Sequence, residues 1–201
     1  MDRIAPLKPE EFGELQDIFE PVIERMGFIP KSQLVMARKP ALLKAFIQLG
    51  RAVYAEEEGS IPFSLKNMIG HASSLAVGCM YCAAHTGSNA SRSGVADDKI
   101  AAIWEYETND VFSDAERAAL RFAQAASSVP NAVTDDDVAD LAKHYTEFQI
   151  VEIMSVVAMF GYLNRWNDSL ATGLEDVPTN FAEQALAETD WQPGKHVEAA
   201  E

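Results

Sequence analysis

Reactive sulfur and imidazole are scarce in this chain: two cysteines and four histidines in 201 residues. A disulfide framework is excluded by that count, and a standard zinc finger by the spacing. Positive charge is also short, with 16 Lys and Arg against 31 Asp and Glu, a formal net charge of -15 and no basic cluster. Such a surface repels a phosphate backbone, so nucleic acid and anionic membrane are excluded as partners. The longest apolar stretch, Ile150 to Leu163, carries Glu152 and Ser155 and is too short to span a bilayer. Met1 to Lys8 lack the basic start and apolar run of a signal peptide, which sets the expectation of a cytoplasmic protein. Alternating apolar and polar residues, the mark of a half-buried strand, are missing over any convincing length.

What remains is helical. At 48% hydrophobic and 23% charged, the composition suits one well-buried domain over residues 1–201. Pro9 to Met26 places Phe12, Leu15, Ile18, Phe19, Val22 and Ile23 on one side, and Gly27 and Pro30 end the pattern. Ala41 to Glu57 repeats the device, its acidic end Glu56-Glu57-Glu58 opposing the macrodipole as a solvated, fraying helix terminus. Further helices are expected from Ser64 to about Val77, from Cys79 onward, over Val95 to Glu105, and over Ala118 to Ala126 behind a capping box at Ser113 to Glu116. Thr134 heads another, Thr146 to Gln149 caps a long apolar one, and Asn180 to Glu183 has the form of a last box before a polar tail. The expected fold class is all-α, with about eight to ten helices by the cap and loop count.

Chemistry concentrates at Cys79-Met80-Tyr81-Cys82, followed by His85. Two thiols separated by two residues close a disulfide with little backbone adjustment, and this spacing lowers a thiol pKa. Gly78 breaks the preceding helical run, so Cys79 opens a new helix, where free N–H groups also favour a thiolate. His85 lies one turn beyond Cys82, placed to exchange a proton with it. A zinc site is the alternative: His71 and His85 would complete a Cys2His2 set, though at no standard spacing. A pair of inert buried thiols is another.

The motif and its surroundings resemble the AhpD-like branch of the carboxymuconolactone decarboxylase family. The likeness rests on Cys79 to His85, on the lead-in Gly27 to Ser32 and Ala37 to Leu43, and on Asn164 to Asp168. It covers most of residues 9–172, leaving a C-terminal helix and polar tail over 173–201. The resemblance implies an all-helical AhpD-like fold assembling as a homo-oligomer (dimer, trimer or hexamer), and thiol-dependent peroxidase or disulfide reductase activity. By position, Cys82 would be the peroxidatic thiol, Cys79 the resolving one and His85 the proton carrier. The substrate would be hydrogen peroxide or an organic hydroperoxide, the partner a thiol or dithiol reductant protein, and no cofactor, metal or flavin, is called for. The physical account agrees: a thiolate attacks the O–O bond, the sulfenic acid condenses with its neighbour, and the disulfide waits for external reductant.

One position departs from the family pattern. Where the family commonly places a proton-relaying glutamate, this chain has Asn67, whose amide cannot donate and recover a proton near neutral pH. His71 follows at i+4 and either takes over that relay or packs in the core. Tyr81 either hydrogen-bonds a peroxide oxygen or packs, and Trp166, Asn167 and Asp168 either line the pocket or anchor the end of the apolar helix. Glu152 is either an acid near the site or a subunit contact. Two other functions stay open: a lactone-processing decarboxylase, whose relatives generally lack the CxxC, and a non-enzymatic helical oligomer that senses redox state.

Overall fold

Amphipathic runs become helices here wherever a cap or breaker sits at each end, and the computed structural model describes them over residues 2–197. Among the described residues there are ten α-helices and no strand. They are α1 (Gln16–Met26), α2 (Lys31–Met36), α3 (Pro40–Val53), α4 (Phe63–Ala76), α5 (Met80–Arg92), α6 (Asp97–Ala101), α7 (Asp114–Ser127), α8 (Asp135–Leu141), α9 (Glu147–Leu170) and α10 (Asp176–Ala185). Short 3-10 turns occupy Pro9–Glu11, Gly13–Leu15, Ile103–Glu105 and Gly194–His196. Capping boxes start α7, α8 and α9 at Ser113, Thr134 and Thr146.

Four expectations need correction. The run from Pro9 is two 3-10 turns before α1 begins at Gln16, Gly13 having turned the chain. Glu56, Glu57 and Glu58 lie beyond the end of α3 at Val53, exposed in a turn, so they do not load a helix terminus. Over Val95 to Glu105 the single expected helix is the short α6 and a 3-10 turn. Asn180 caps nothing: α10 starts four residues earlier, with Glu175 as its N-cap. The last residues of the expected polar tail, 198–201, and Met1 lie outside the described residues.

Helix α4 is the centre of the domain, packed against α5, α7 and α9 and buried without interruption from Leu65 to Ser74. Its close approach to α9 depends on Gly70, where a Cβ would stand 2.5 Å from a ring carbon of Phe160. Gly87 likewise admits Phe181, bringing α10 against α5. Lys66 is wholly buried in α4, but its Nζ donates to Glu152 at 2.7 Å and to the carbonyls of Val53 and Ala55. Glu152 also accepts from the Ile61 N–H, so it ties α4 and α9 to the loop after α3 and is no part of the cavity beside the cysteines. No described helix is long and apolar enough to cross a membrane.

Two turns position the site. Gly78, at φ 74°, adopts the left-handed conformation that L side chains resist and hands the chain from α4 to α5. Ala171 ends α9 at φ 49°, and the chain then returns toward α5 through Thr172, Leu174 and Glu175.

Candidate active site

Cys79 is the N-cap of α5, which puts Cys82 in the first turn. Both side chains are buried and no disulfide joins them. The thiols face different spaces. Cys82 lines a cavity of about 550 Å³ between α1, α3, α5 and α9, while Cys79 lines a second space of about 1060 Å³ beside α9 and the segment after α7.

The expectation that the two-residue spacing lowers a thiol pKa does not hold at Cys82. Burial pushes its thiol well above the ordinary value, and the neighbouring Cys79 pushes the same way. The opposing contribution is Asn167 Nδ2, which donates to Cys82 Sγ at 3.3 Å. Desolvation overrides helix-end stabilisation, so Cys82 rests as a thiol.

His85 lines the same cavity as Cys82, stacks on Tyr81 with ring centroids 4.4 Å apart, and sets Nε2 2.7 Å from Glu175 Oε2. Its Nδ1 has no hydrogen-bond partner among the described residues. Glu175 also accepts from the Tyr81 hydroxyl at 2.9 Å and from the Lys31 N–H. Burial alone would raise the Glu175 carboxyl, but His85 beside it and the hydrogen bonds from His85, Lys31 and Tyr81 outweigh it and hold it below its ordinary value. Tyr81 is pushed well up by burial and by the Glu175 charge, so its hydroxyl keeps its proton.

Sequence reasoning had no signal for Glu175. It follows the stretch of likeness, and its part depends on the reversal after α9. A carboxylate thus reaches the cysteine helix from the far end of the chain, while Asn67 stands at the position of the family's glutamate. Asn67 lines the cavity, its Nδ2 donating to the Phe63 carbonyl at 3.1 Å.

The other expected residues divide. His71 is fully buried, its Nδ1 3.0 Å from the Ala83 carbonyl, and it does not line the cavity beside Cys82. Burial lowers its pKa to about 4, against the bond to Ala83, which leaves a neutral core imidazole. Trp166 lines the second space with Cys79, whereas its neighbour Asn167 turns toward Cys82. His71 and His85 do not gather with the two cysteines as a Cys2His2 set among the described residues.

The charge of the cavity wall opposes that of the protein. Arg25, Arg51 and Arg92 line it with His85, and none of its described lining residues is Asp or Glu. Its body is apolar and aromatic, from Phe46, Phe63, Met159, Phe160 and Leu163.

The pattern of the carboxymuconolactone decarboxylase family matches residues 40–125, a stretch that contains both cysteines and His85. A cysteine-to-alanine variant of the debrominase Bmp8, solved in complex with 2,3,4-tribromopyrrole, is 33% identical, covering 90% of this chain and 96% of that one, with a TM-score of 0.82. A peroxidase-related protein with an AhpD core from Ralstonia eutropha JMP134 shares the fold at 22% identity and a TM-score of 0.73, over 87% of this chain and 90% of that one. The uncharacterized Escherichia coli (strain K12) protein YnjA is 29% identical over 103 residues, half of this chain; the match spans 57% of YnjA's own length. With its AhpD-like fold, its cysteine motif and near full-length likeness to a solved relative in agreement, the chain belongs to the carboxymuconolactone decarboxylase family.

Proposed function

We propose that the protein is a thiol-dependent reductase of organic electrophiles, with Cys82 as the attacking thiol, Cys79 as the resolving thiol and His85 as the proton carrier. The observation that carries this reading is the placement of Cys82, one helical turn from Cys79 at the start of α5, on the wall of an apolar cavity that His85 also lines. His85 takes the proton of Cys82, and the ionised Glu175 steadies the imidazolium through Nε2. With a hydroperoxide, the Cys82 thiolate displaces alkoxide from the O–O bond, His85 returns the proton to that alkoxide, and Cys82 is left as a sulfenic acid. Cys79 then attacks the Cys82 sulfur, closing a disulfide and releasing water. An external dithiol restores both thiols.

A cavity of about 550 Å³ far exceeds hydrogen peroxide, and its arginines favour a negatively charged substrate with an apolar body. A second electrophile, the halogen of a bromoarene, is favoured by the likeness to the debrominase. Cys82 would take the bromine as a sulfenyl bromide, the arene carbon would gain the proton, and Cys79 would expel bromide as the disulfide closes.

The apolar residues left exposed beside Cys79, Val77, Val129, Met154 and Tyr162, with Val151 further along α9, support self-association through that side of the molecule. The assay for the reading is consumption of an anionic organic hydroperoxide and of a bromopyrrole, each with a dithiol reductant. Turnover of one of them that is abolished by Cys82→Ser in a folded protein is the expected result. Turnover that survives this substitution, or thiol blocking, would assign the chemistry elsewhere.

A further inference from the structure

Cys79 faces a group of residues that the reaction at Cys82 does not use. The 3-10 turn Gly194–His196 folds back toward the end of α9, with the His196 carbonyl accepting from Leu174 N–H at 2.7 Å. His196 is 2% exposed, and its Nδ1 lies 2.8 Å from the Thr172 carbonyl. A carbonyl only accepts, so Nδ1 carries the hydrogen and Nε2 is the basic atom of the neutral ring. Nε2 stands 3.7 Å from Asp168 Oδ1, and a single atom from each of Cys79, Asp168 and His196 brings the three within 4.8 Å of one another.

We infer that His196 and Asp168 form a second catalytic centre, in which His196 Nε2 removes the proton of the resolving thiol Cys79 and Asp168 steadies the imidazolium. The inference rests on the reading of Cys82 as the attacking thiol. In the closing step His196 takes the proton from Cys79, the Cys79 sulfur forms a bond to the Cys82 sulfur, and the S–O bond of the sulfenic acid breaks. The hydroxide leaves with that electron pair and takes up a proton from solvent, His85 having already given its own to the alkoxide. His196 returns its proton to solvent through the space that Cys79 lines. Each thiol is thereby given its own imidazole and carboxylate, His85 with Glu175 on one side and His196 with Asp168 on the other.

The groups facing His196 are Asp168 of α9, Cys79 and Tyr81 at the start of α5, and Lys195 of its own turn, whose Nζ holds the other Asp168 oxygen at 2.8 Å. Burial lowers the pKa of His196, the Thr172 bond and Asp168 oppose that, and Lys195 adds to it. The net direction is downward, which leaves the ring neutral and able to accept a proton at pH 7.

The test separates the two oxidative steps by rapid mixing with an organic hydroperoxide, following trapping of the Cys82 sulfenic acid by a cyclic dione and closure of the disulfide. His196→Asn retains a donor for the Thr172 carbonyl but has no base. Closure is expected to slow roughly 100-fold, with sulfenic acid accumulating. Closure in the unaltered protein levels off above neutral pH, whereas in His196→Asn it climbs roughly tenfold per pH unit as it waits for Cys79 to ionise. Asp168→Asn, which leaves the ring in place, moves the inflection of closure to lower pH.

Closure with unchanged rate and pH profile in folded His196→Asn would overturn the inference. Alkylation of Cys79 by iodoacetamide in the Cys82→Ala background supplies an arm that does not depend on the Cys82 reading. A pH profile altered by His196→Asn supports the base, and an unaltered one overturns it. Failure of the unaltered protein to oxidise Cys82 would instead count against the proposed function.

Discussion

His85 Nε2 lies 2.7 Å from the carboxylate of Glu175, a residue 90 positions further along the chain. Glu175 is the N-cap of α10, and the same carboxylate binds Tyr81 and the backbone of Lys31, so one side chain fixes the imidazole, the tyrosine between the cysteines and the start of α2. Glu175→Gln keeps the shape and removes the charge that supports an imidazolium. Turnover should fall roughly 100-fold with a much smaller change in melting temperature. A wild-type rate in the variant would remove Glu175 from the proton path.

The protonated state of Cys82 has its own consequence. Its alkylation rate should keep rising with pH beyond the range where an ordinary cysteine levels off, because burial holds the thiol pKa up. Asn167→Ala removes the amide that donates to Sγ and should lower that rate about tenfold at fixed pH, the order expected for a hydrogen bond to a charged group. A plateau at neutral pH would contradict the burial argument.

Selection of substrate by charge should be measurable at the cavity wall. Arg25→Gln with Arg51→Gln should raise KM for an anionic hydroperoxide and leave its methyl ester nearly unaffected, and added salt should mimic the substitutions. Equal effects on acid and ester would show that the arginines play no part in recognition.

His71 gives the fold a pH dependence. Its pKa in the folded protein falls from the ordinary 6.5 to about 4, so between those values the unfolded chain binds the proton that the native state excludes. Stability from this group is complete above about 6.5 and is lost as pH falls toward 4, amounting to about 3 kcal/mol. His196, also held low by burial, adds in the same direction. Denaturant unfolding at pH 4.5 and 7.5 should show the loss, and His71→Gln should shrink the difference. An unchanged difference would mean that other groups set it.

The sequence was most legible where a local signal decides the outcome. Ser113, Thr134 and Thr146 cap their helices because each box closes within four residues, and Gly78 sets Cys79 at a helix start for the same local reason. Where distant chain decides, the reading missed. Helix α2 is six residues behind Pro30 with no side-chain cap, and it went unanticipated. Asn180 has the residue types of a cap but sits inside a helix already begun behind Glu175. The Cys82 thiol follows burial rather than its position in the helix. Glu175 and His196 reach the cysteines only through the turn after α9, which no spacing rule connects to residues 79–85.

The most direct test of the central claim is the mass of the intact folded protein before and after one equivalent of an organic hydroperoxide. The account predicts loss of two hydrogens, with Cys79 and Cys82 joined in one peptide and the mass restored by a dithiol. A lasting oxygen adduct on Cys82 without closure, or an unchanged mass while peroxide is consumed, would contradict it.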